Sequence, residues 1–282
     1  MPDLLQDWVG RTETLHDDVT AAPLRAWAAT LDRDDPEPVR GTPVPPLAHW
    51  LYFLPVHKQS DIGPDGHPKR GGFLPPVPLP RRMWAGGRLA WEAGNALRVG
   101  DEAQRVSRIA SVASKSGRSG ELVFVTVAHE VHNARGLALT EEHDIVYRDA
   151  PRAGEAPAAP LPAPTGPTWQ RELVPDDVLL FRYSALTFNG HRIHYDRRYV
   201  TEVEGYPALI VHGPLIATLL VDLVRRELPQ ARLRRFEFKA MRPLFDGRTM
   251  RVCGKREGDG VALWAQDDAG ALAMKASAQV ET

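Results

Sequence analysis

The chain has 282 residues, 43% of them hydrophobic and 25% charged, so it is long enough to bury a large core in one or two domains. Its formal net charge of −1 gives no overall attraction to nucleic acid or to a membrane surface. A single cysteine, Cys253, excludes an intramolecular disulfide framework and fits a reducing, cytoplasmic location. No basic region followed by an apolar one occurs near the N-terminus, so we expect no signal peptide.

Three long strand candidates occupy the N-terminal part of the chain. They span residues 102–117, 120–136 and 137–149 and are joined by glycine-containing turns. Ahead of them, residues 55–80 contain seven prolines and four glycines. Proline breaks helical hydrogen bonding, so this stretch predicts irregular structure in place of a long helix.

Proline and alanine dominate residues 150–168, with six of each among nineteen residues. Such a segment buries little apolar surface and favours extended backbone, which predicts an interdomain linker. We therefore expect an N-terminal unit of residues 1–149 and a C-terminal unit of residues 169–282. The linker should be extended or poorly ordered, and sensitive to proteases.

A strongly apolar segment, residues 208–230, predicts a helix of the C-terminal unit. Gly213 and Pro214 suit its start, and Arg225 and Arg226 suit its carboxyl end. The apolar positions cover most of the helix, which predicts burial on nearly all sides: Leu215, Ile216, Leu219, Leu220, Leu223 and Val224. The run is too short and too interrupted to span a bilayer. Four strand candidates follow, at 233–241, 249–257, 261–268 and 271–280, so the pattern predicts an antiparallel sheet wrapped around a helix.

The residues most suggestive of chemistry lie in the segment TFNGHRIHYD, Thr187 to Asp196, after a strand-like stretch at 177–187. His194 is the candidate for proton transfer, because an imidazole titrates near neutral pH. Asn189 can position a water molecule or a carbonyl group through its amide. The helix start at Gly213 offers backbone N–H groups for a developing oxyanion.

This segment resembles the motif of the MaoC-like, hot-dog-fold enoyl-thioester hydratases, which reads Ser/Thr-Gly-Asp-x-Asn-Pro-aliphatic-His-x-Asp. Thr187 falls on the Ser/Thr position, Asn189 on the catalytic aspartate, and His194 and Asp196 on the final His and Asp. The departures from the motif are Phe188 for Gly, His191 for Asn and Arg192 for Pro. With Asn189 in place of an aspartate, His194 is expected to carry most of the acid–base work.

The resemblance extends over most of the chain and is strongest to a double-hot-dog subgroup. That subgroup includes the mesaconyl-C4-CoA and itaconyl-CoA hydratases and the mitochondrial-type 3-hydroxyacyl-thioester dehydratases. It implies an α+β fold in which two antiparallel sheets each wrap a helix, as a pseudo-dimer within one chain. The N-terminal unit is then a degenerate hot-dog unit that shapes the acyl pocket, with residues 71–87 as a pocket loop. Residues 71–87 also suit a proline-rich docking ligand.

The implied activity is cofactor-independent addition of water to a short acyl-CoA such as mesaconyl-C4-CoA or itaconyl-CoA. The alternatives are dehydration of 3-hydroxyacyl thioesters on coenzyme A or acyl carrier protein, a thioesterase, and a non-catalytic acyl-thioester-binding module. A homodimer is expected from the resemblance alone.

Further candidate residues follow from the same interpretation. Support of the site is expected from Thr187, His191, Tyr195, Asp196 and His212. Capture of the coenzyme A phosphates is expected from Arg234, Arg235, Lys239 and Arg242. His191, His194 and Asp196 could suggest a metal site, but no cysteine cluster or His-x-x-x-His helix accompanies them, so we expect no metal.

Overall fold

The computed structural model describes residues 5–117, 120–149 and 159–281. Ten strands form one antiparallel sheet in the order β1-β3-β4-β5-β2-β7-β10-β9-β8-β6. The strands are β1 (Thr12–Asp18), β2 (Arg81–Trp91), β3 (Glu102–Gly117), β4 (Gly120–Asn133), β5 (Gly136–Arg148), β6 (Trp169–Leu173), β7 (Arg232–Ala240), β8 (Met250–Glu257), β9 (Gly260–Asp267) and β10 (Leu272–Glu281). Three α-helices accompany them: α1 (Ala21–Thr30), α2 (Asp177–Leu186) and α3 (Gly213–Glu227). Seven of the eight stretches interpreted as strands are confirmed within a few residues.

Helix α3 lies against the C-terminal half of the sheet and is enclosed on nearly all sides. Its six expected apolar positions are buried, and Leu215 and Leu220 have no exposed surface at all. Pro214 occupies the first turn, as predicted, where its missing N–H removes no helical hydrogen bond. No helix within the described part of the chain is long and apolar enough to cross a membrane.

The two halves join through the pairing of β2 with β7. Gly86 faces Lys239 and Gly87 faces Phe238 across this pair. A Cβ atom at Gly86 would lie 2.5 Å from the carbonyl oxygen of Phe238, so only glycine permits the observed approach. The junction therefore makes one continuous sheet from residues on both sides of the expected linker.

The stretch at 177–187 forms helix α2, so its interpretation as a strand was wrong. Asp176 caps the helix, because its carboxylate accepts a hydrogen bond from the backbone N–H of Leu179 at 2.7 Å. Leu180 and Tyr183 are buried, whereas Val178 and Phe181 are exposed. Apolar residues thus occupy both sides of α2, which hid its helical period in the sequence.

The N-terminal half of the sheet is covered by irregular chain in place of a long helix. Residues 48–51 form a single 3-10 turn and 59–61 another. Val77 and Leu79 are buried in a cluster with residues of β3, β4 and β5, so they are not free to act as an exposed docking ligand. This cover fits the irregular structure predicted for residues 55–80.

The expected linker lies partly outside the described residues, which resume at 159. From there the chain runs alongside the C-terminal unit, where Pro162 forms an isolated bridge with Ala271. The backbone N–H of Leu272 donates to the carbonyl of Leu161 at 2.8 Å. The domain division at residues 150–168 stays a prediction.

A buried carboxylate of α3, Asp222, pairs with guanidinium groups from both units. Asp222 is 1% exposed and accepts from Arg33, Arg171 and Arg226 at 2.8, 2.9 and 2.7 Å. Arg33 follows α1, Arg171 lies on β6 and Arg226 on α3. Three guanidinium groups from separate elements therefore balance one carboxylate in the core.

Candidate active site

The segment from Thr187 to Asp196 leaves the carboxyl end of α2 and runs toward the start of α3. The hydroxyl of Thr187 donates to the carbonyl of Tyr183 at 2.8 Å, which closes the last turn of α2. The backbone N–H of Asn189 donates to the carbonyl of Ser184 at 2.8 Å. Helix α2 therefore fixes where the segment begins, and Thr187 contributes by ending that helix.

His194 is buried, at 7% exposure, and one side of its ring is fixed by the backbone. Its Nδ1 lies 2.7 Å from the carbonyl oxygen of Ile210. A carbonyl can only accept, so Nδ1 carries the proton and Nε2 presents a lone pair. Nε2 has no hydrogen-bond partner among the described residues. His194 is thus held as a neutral imidazole with a free basic nitrogen.

Four imidazole rings form a row through the site. The ring centroids are 3.9 Å apart for His67 and His191, 5.4 Å for His191 and His194, and 3.7 Å for His194 and His212. Burial is the main cause that lowers the pKa of His191 to about 2 and that of His194 to about 4. Burial also lowers the pKa of His67 and His212. The row is therefore uncharged near neutral pH.

His212 connects this row to α3. The residue is fully buried, its Nε2 lies 2.8 Å from the Ser184 hydroxyl, and its Nδ1 has no partner. It immediately precedes Gly213, the first residue of α3. The positive end of the α3 dipole therefore lies beside the ring of His194.

The sequence interpretation missed the residues that meet this segment from the N-terminal unit. Asp65 Oδ2 lies 2.9 Å from His67 Nδ1, and the backbone N–H of Arg192 donates to the Asp65 carbonyl at 2.9 Å. Between them Gly66 has a φ of +88°, and a Cβ atom there would collide with the carbonyl of Gly190. The turn thus docks directly on the motif segment. The sequence signal for it was Asp-Gly-His within the proline-rich stretch.

Asn189 has one end of its amide committed to the local turn. Its Oδ1 accepts from the backbone N–H of His191 at 3.0 Å. No hydrogen bond from its amide nitrogen occurs among the described residues, so that nitrogen can donate to a ligand.

Tyr195 and Asp196 hold the segment in shape. The Tyr195 hydroxyl donates to the carbonyl of Gly190 at 2.9 Å. Asp196 accepts from the backbone N–H of Tyr199 at 3.0 Å and from the Arg192 guanidinium at 2.7 Å. Both hydrogen bonds lower the pKa of the Asp196 carboxyl, the one from Tyr199 more than the one from Arg192. Their contacts are those of loop structure.

Asp65, His67 and His191 are the one group of metal-ligand type found among the described residues, with ligand atoms within 4.8 Å of one another. Asp65 Oδ2 and His67 Nδ1, however, face each other as hydrogen-bond acceptor and donor. An ion ligated by this Nδ1 would have to displace the proton and break the hydrogen bond. The arrangement is that of a hydrogen-bonded carboxylate–imidazole pair.

The four cations expected to bind phosphates do not converge. Arg234 pairs with Glu281, and Arg242 pairs with Asp267 at 2.8 Å. Arg235 and Lys239 are exposed on β7, where the alternate residues Phe236 and Phe238 point into the core. Arg242 alone of the four lines a groove, of about 690 Å³, whose lining includes neither His191 nor His194.

Another cation, Arg82, lies on the inner face of the N-terminal sheet. It pairs with Tyr147 across β2 and β5, on the face shared with His143 and Glu141. Burial is the main cause that lowers the pKa of His67, His191 and His143. The positive charge of Arg82 lies close enough to lower the pKa of each ring further. No carboxylate among the described residues forms an ion pair with Arg82. Among the described residues Arg82 is therefore a cation without an acidic partner, near the Tyr147 hydroxyl and the rings of His67, His191 and His143.

The sequence of the whole molecule agrees with this architecture. Residues 47–246 match the family model described as hydroxyacyl-thioester dehydratase type 2. The chain belongs to this family. It is therefore an enzyme of the lyase class that adds water to acyl thioesters or removes it. A mesaconyl-C(4)-CoA hydratase of Chloroflexus aurantiacus is 46% identical over 97% of this chain and 96% of the relative.

Solved structures show the fold. A MaoC-like dehydratase matches with a TM-score of 0.72 at 14% identity, covering 98% of both chains. A Mycobacterium tuberculosis protein described as a double hotdog matches with a TM-score of 0.55 at 14% identity, covering 97% of this chain and 96% of that one. The expected α+β double hot-dog is confirmed.

Proposed function

We propose that the protein reversibly adds water to the double bond of a short α,β-unsaturated acyl-CoA thioester, with His194 at the centre of the reaction. The observation that carries this proposal is the fixed tautomer of His194 beside the start of α3. A neutral imidazole with a free Nε2 can accept an O–H of water and activate it. The neighbouring helix start supplies dipoles for the charge that develops on the thioester oxygen.

The remaining requirement of the reaction is orientation. Water has to approach the β-carbon while the thioester carbonyl faces hydrogen-bond donors. The amide nitrogen of Asn189, in the same segment as His194, and the backbone N–H at Gly213, next to the His212 ring that stacks on His194, are the candidate donors. Asn189 then holds the water or the carbonyl, and Gly213 stabilises the enolate oxygen.

Mesaconyl-C4-CoA is the first candidate substrate and itaconyl-CoA the second. The name of the Chloroflexus relative supports the first, and each acyl group carries a second carboxylate. Arg82 offers a guanidinium on the inner face of the N-terminal unit without a carboxylate partner among the described residues. A guanidinium matches a carboxylate in charge and geometry. The N-terminal unit then shapes the acyl pocket and Arg82 holds its distal end.

Dehydration of 3-hydroxyacyl thioesters on coenzyme A or acyl carrier protein is the alternative, and the family description supports it. A growing fatty acyl chain needs an apolar channel. The inner face of the N-terminal sheet instead carries Glu141, paired with His49 at 2.9 Å, together with His129 and His143. Those polar groups favour a short, polar acyl group.

A panel of enoyl-CoA esters tests the proposal. Mesaconyl-C4-CoA, itaconyl-CoA, crotonyl-CoA and a long-chain 2-enoyl-CoA are incubated with the protein, and the ultraviolet absorbance of the conjugated thioester is followed. Loss of absorbance without thiol release is the expected result for mesaconyl-C4-CoA, and hydration of itaconyl-CoA, whose double bond is not conjugated with the thioester, is followed by chromatography. Release of free coenzyme A would identify a thioesterase. Binding without turnover of any ester would identify a non-catalytic module.

Three further expectations remain proposals. Arg242 is the best placed of the four cations to meet a coenzyme A phosphate, because it lines the 690 Å³ groove. A homodimer and a cytoplasmic location are kept from the sequence. Light scattering tests the homodimer, since a monomer would have a mass of 31.2 kDa.

A further inference from the structure

The turn from Asp65 to His67 brings a carboxylate and an imidazole against the motif segment. We infer that His67 is a second catalytic imidazole, positioned by Asp65, and that this pair replaces the carboxylate that Asn189 cannot supply. The inference rests on the proposed hydration. It adds residues of the N-terminal unit to a site otherwise built from the C-terminal unit.

The hydrogen bond between Asp65 and His67 determines which ring nitrogen is basic. The carboxylate accepts, so the proton is on Nδ1, 2.9 Å away, and Nε2 has a lone pair. His67 is 22% exposed at its side chain, so a ligand can reach it. His194 has the same arrangement, with the Ile210 carbonyl in place of the carboxylate. Two neutral imidazoles thus present equivalent nitrogens on either side of His191.

The two imidazoles differ in what stabilises them once protonated. Burial opposes ionisation of Asp65, but the His67 hydrogen bond and the nearby imidazoles hold its pKa well below the usual value. Asp65 therefore stays a carboxylate throughout the working pH range and stabilises an imidazolium on His67. A backbone carbonyl does this less well for His194. His67 is consequently the better acceptor of a full proton.

The reaction then balances with one proton carrier. The water oxygen forms a bond to the β-carbon while its O–H breaks and the proton passes to His67 Nε2. The π electrons move onto the α-carbon and the thioester oxygen, where the α3 start stabilises the enolate. The proton returns from His67 to the α-carbon as the C–H bond forms. His194 Nε2 accepts the other O–H and holds the water throughout.

Several charged or titratable groups face His67 and set the pH at which it works. They are Asp65 within its own turn, Arg70 and Arg82 from the flanking chain and β2, and His191 and His194 from the motif segment. Asp65 favours the protonated ring, and the cations oppose it. Removal of the Asp65 charge should therefore lower the pKa of His67.

The experiment compares Asp65→Asn and His67→Gln with Asp61→Asn and His57→Gln, two exposed positions on the same stretch. Both test variants should lose kcat by roughly 10²-fold or more, the scale of a lost acid–base group. In Asp65→Asn the acid limb of the kcat profile should also move to lower pH. The controls should keep wild-type kcat and pH profile.

Further variants separate chemistry from folding. Asp65→Glu should recover part of the activity, and added imidazole should partly restore His67→Ala. Wild-type kcat in His67→Gln, or an unshifted acid limb in Asp65→Asn, would overturn the inference. Activity lost to a chelator and restored by a divalent metal would also overturn it. Failure of the wild-type enzyme on the whole ester panel would instead reject the proposed hydration.

Discussion

The imidazole ring of His194 stacks on that of His212, with 3.7 Å between centroids and 17° between planes. His212 is the residue before α3, so the position of the helix fixes the position of the candidate catalytic ring. The hydrogen bond from His194 to Ile210 then sets the tautomer. Orientation and protonation of one side chain thus follow from packing of the C-terminal unit.

His194→Ala should abolish most hydration of the best ester in the panel. The variant removes the nitrogen that holds the water, and a loss of roughly 10² to 10⁴-fold in kcat is the usual scale for such a group. The measurement is a steady-state assay beside a thermal unfolding curve. The exposed His57→Ala is the control, and retained hydration in a folded His194→Ala would reject the assignment.

Asn189→Asp should keep the fold, because the carboxylate can still accept the N–H of His191. The added negative charge should raise the pKa of His194 and move its acid limb to higher pH, with measurable activity left. Asn189→Ala removes both the turn acceptor and the amide donor and should lower kcat by roughly 10²-fold. Near-wild-type activity in both variants would show that Asn189 is only a turn residue.

Arg82→Gln should change substrate selectivity more than overall activity. The ratio of kcat/KM for mesaconyl-C4-CoA to that for crotonyl-CoA should fall roughly tenfold or more, since a charge-assisted hydrogen bond contributes about 1.5–3 kcal/mol. Crotonyl-CoA has no distal carboxylate and serves as the internal reference. Arg108→Gln, on the exposed side of β3, is the matched control. An unchanged ratio would remove Arg82 from the acyl site.

Asp222→Asn should destabilise the fold by roughly 3–5 kcal/mol, because it removes the fully buried carboxylate shared by three partly buried guanidinium groups. Urea unfolding measures the difference in the free energy of unfolding. Asp268→Asn breaks a surface pair with Arg248, whose side chain is 66% exposed, and should leave the free energy of unfolding nearly unchanged. Equal losses in the two variants would contradict the role given to Asp222.

Gly66→Ala should disturb the site more than Gly71→Ala does. Both glycines have positive φ, at +88° and +95°, so both variants bear a backbone penalty of about 1–2 kcal/mol. A Cβ at Gly66 also meets the Gly190 carbonyl, whereas nothing lies within 4 Å at Gly71. Only Gly66→Ala should therefore lower kcat. Equal kcat in the two folded variants would show that the contact is unimportant.

The sequence predicted the regular parts of the fold well. The apolar spacing of α3 and the alternation of β10 depend on burial along one element, which local pattern reports directly. Helix α2 was wrongly predicted as a strand because the exposed Val178 and Phe181 obscure its helical period. The cap at Asp176 was also overlooked. The pairing of β2 with β7 depends on residues far apart in the chain, which no local pattern specifies.

The sequence predicted only those residues of the candidate site that belong to the C-terminal unit. Asn189 and His194 belong to one segment, and Gly213 follows His212, whose ring stacks on that of His194. Asp65, His67 and Arg82 come from the other unit, and their proximity results from docking across the sheet. The Asp-Gly-His turn looked like part of an irregular stretch, since its partner Gly190 lies more than a hundred positions away.

The contact of Gly66 with Gly190 joins two sequences that do not resemble each other. In a dimer of identical hot-dog subunits, any substitution would appear in both copies, and each subunit would need to supply the turn and the motif together. Fusion in one chain lifts that constraint. Under the proposed function, one half can then specialise in the acyl group while the other holds the water. Each partner of the contact, however, limits which substitutions the other can accept.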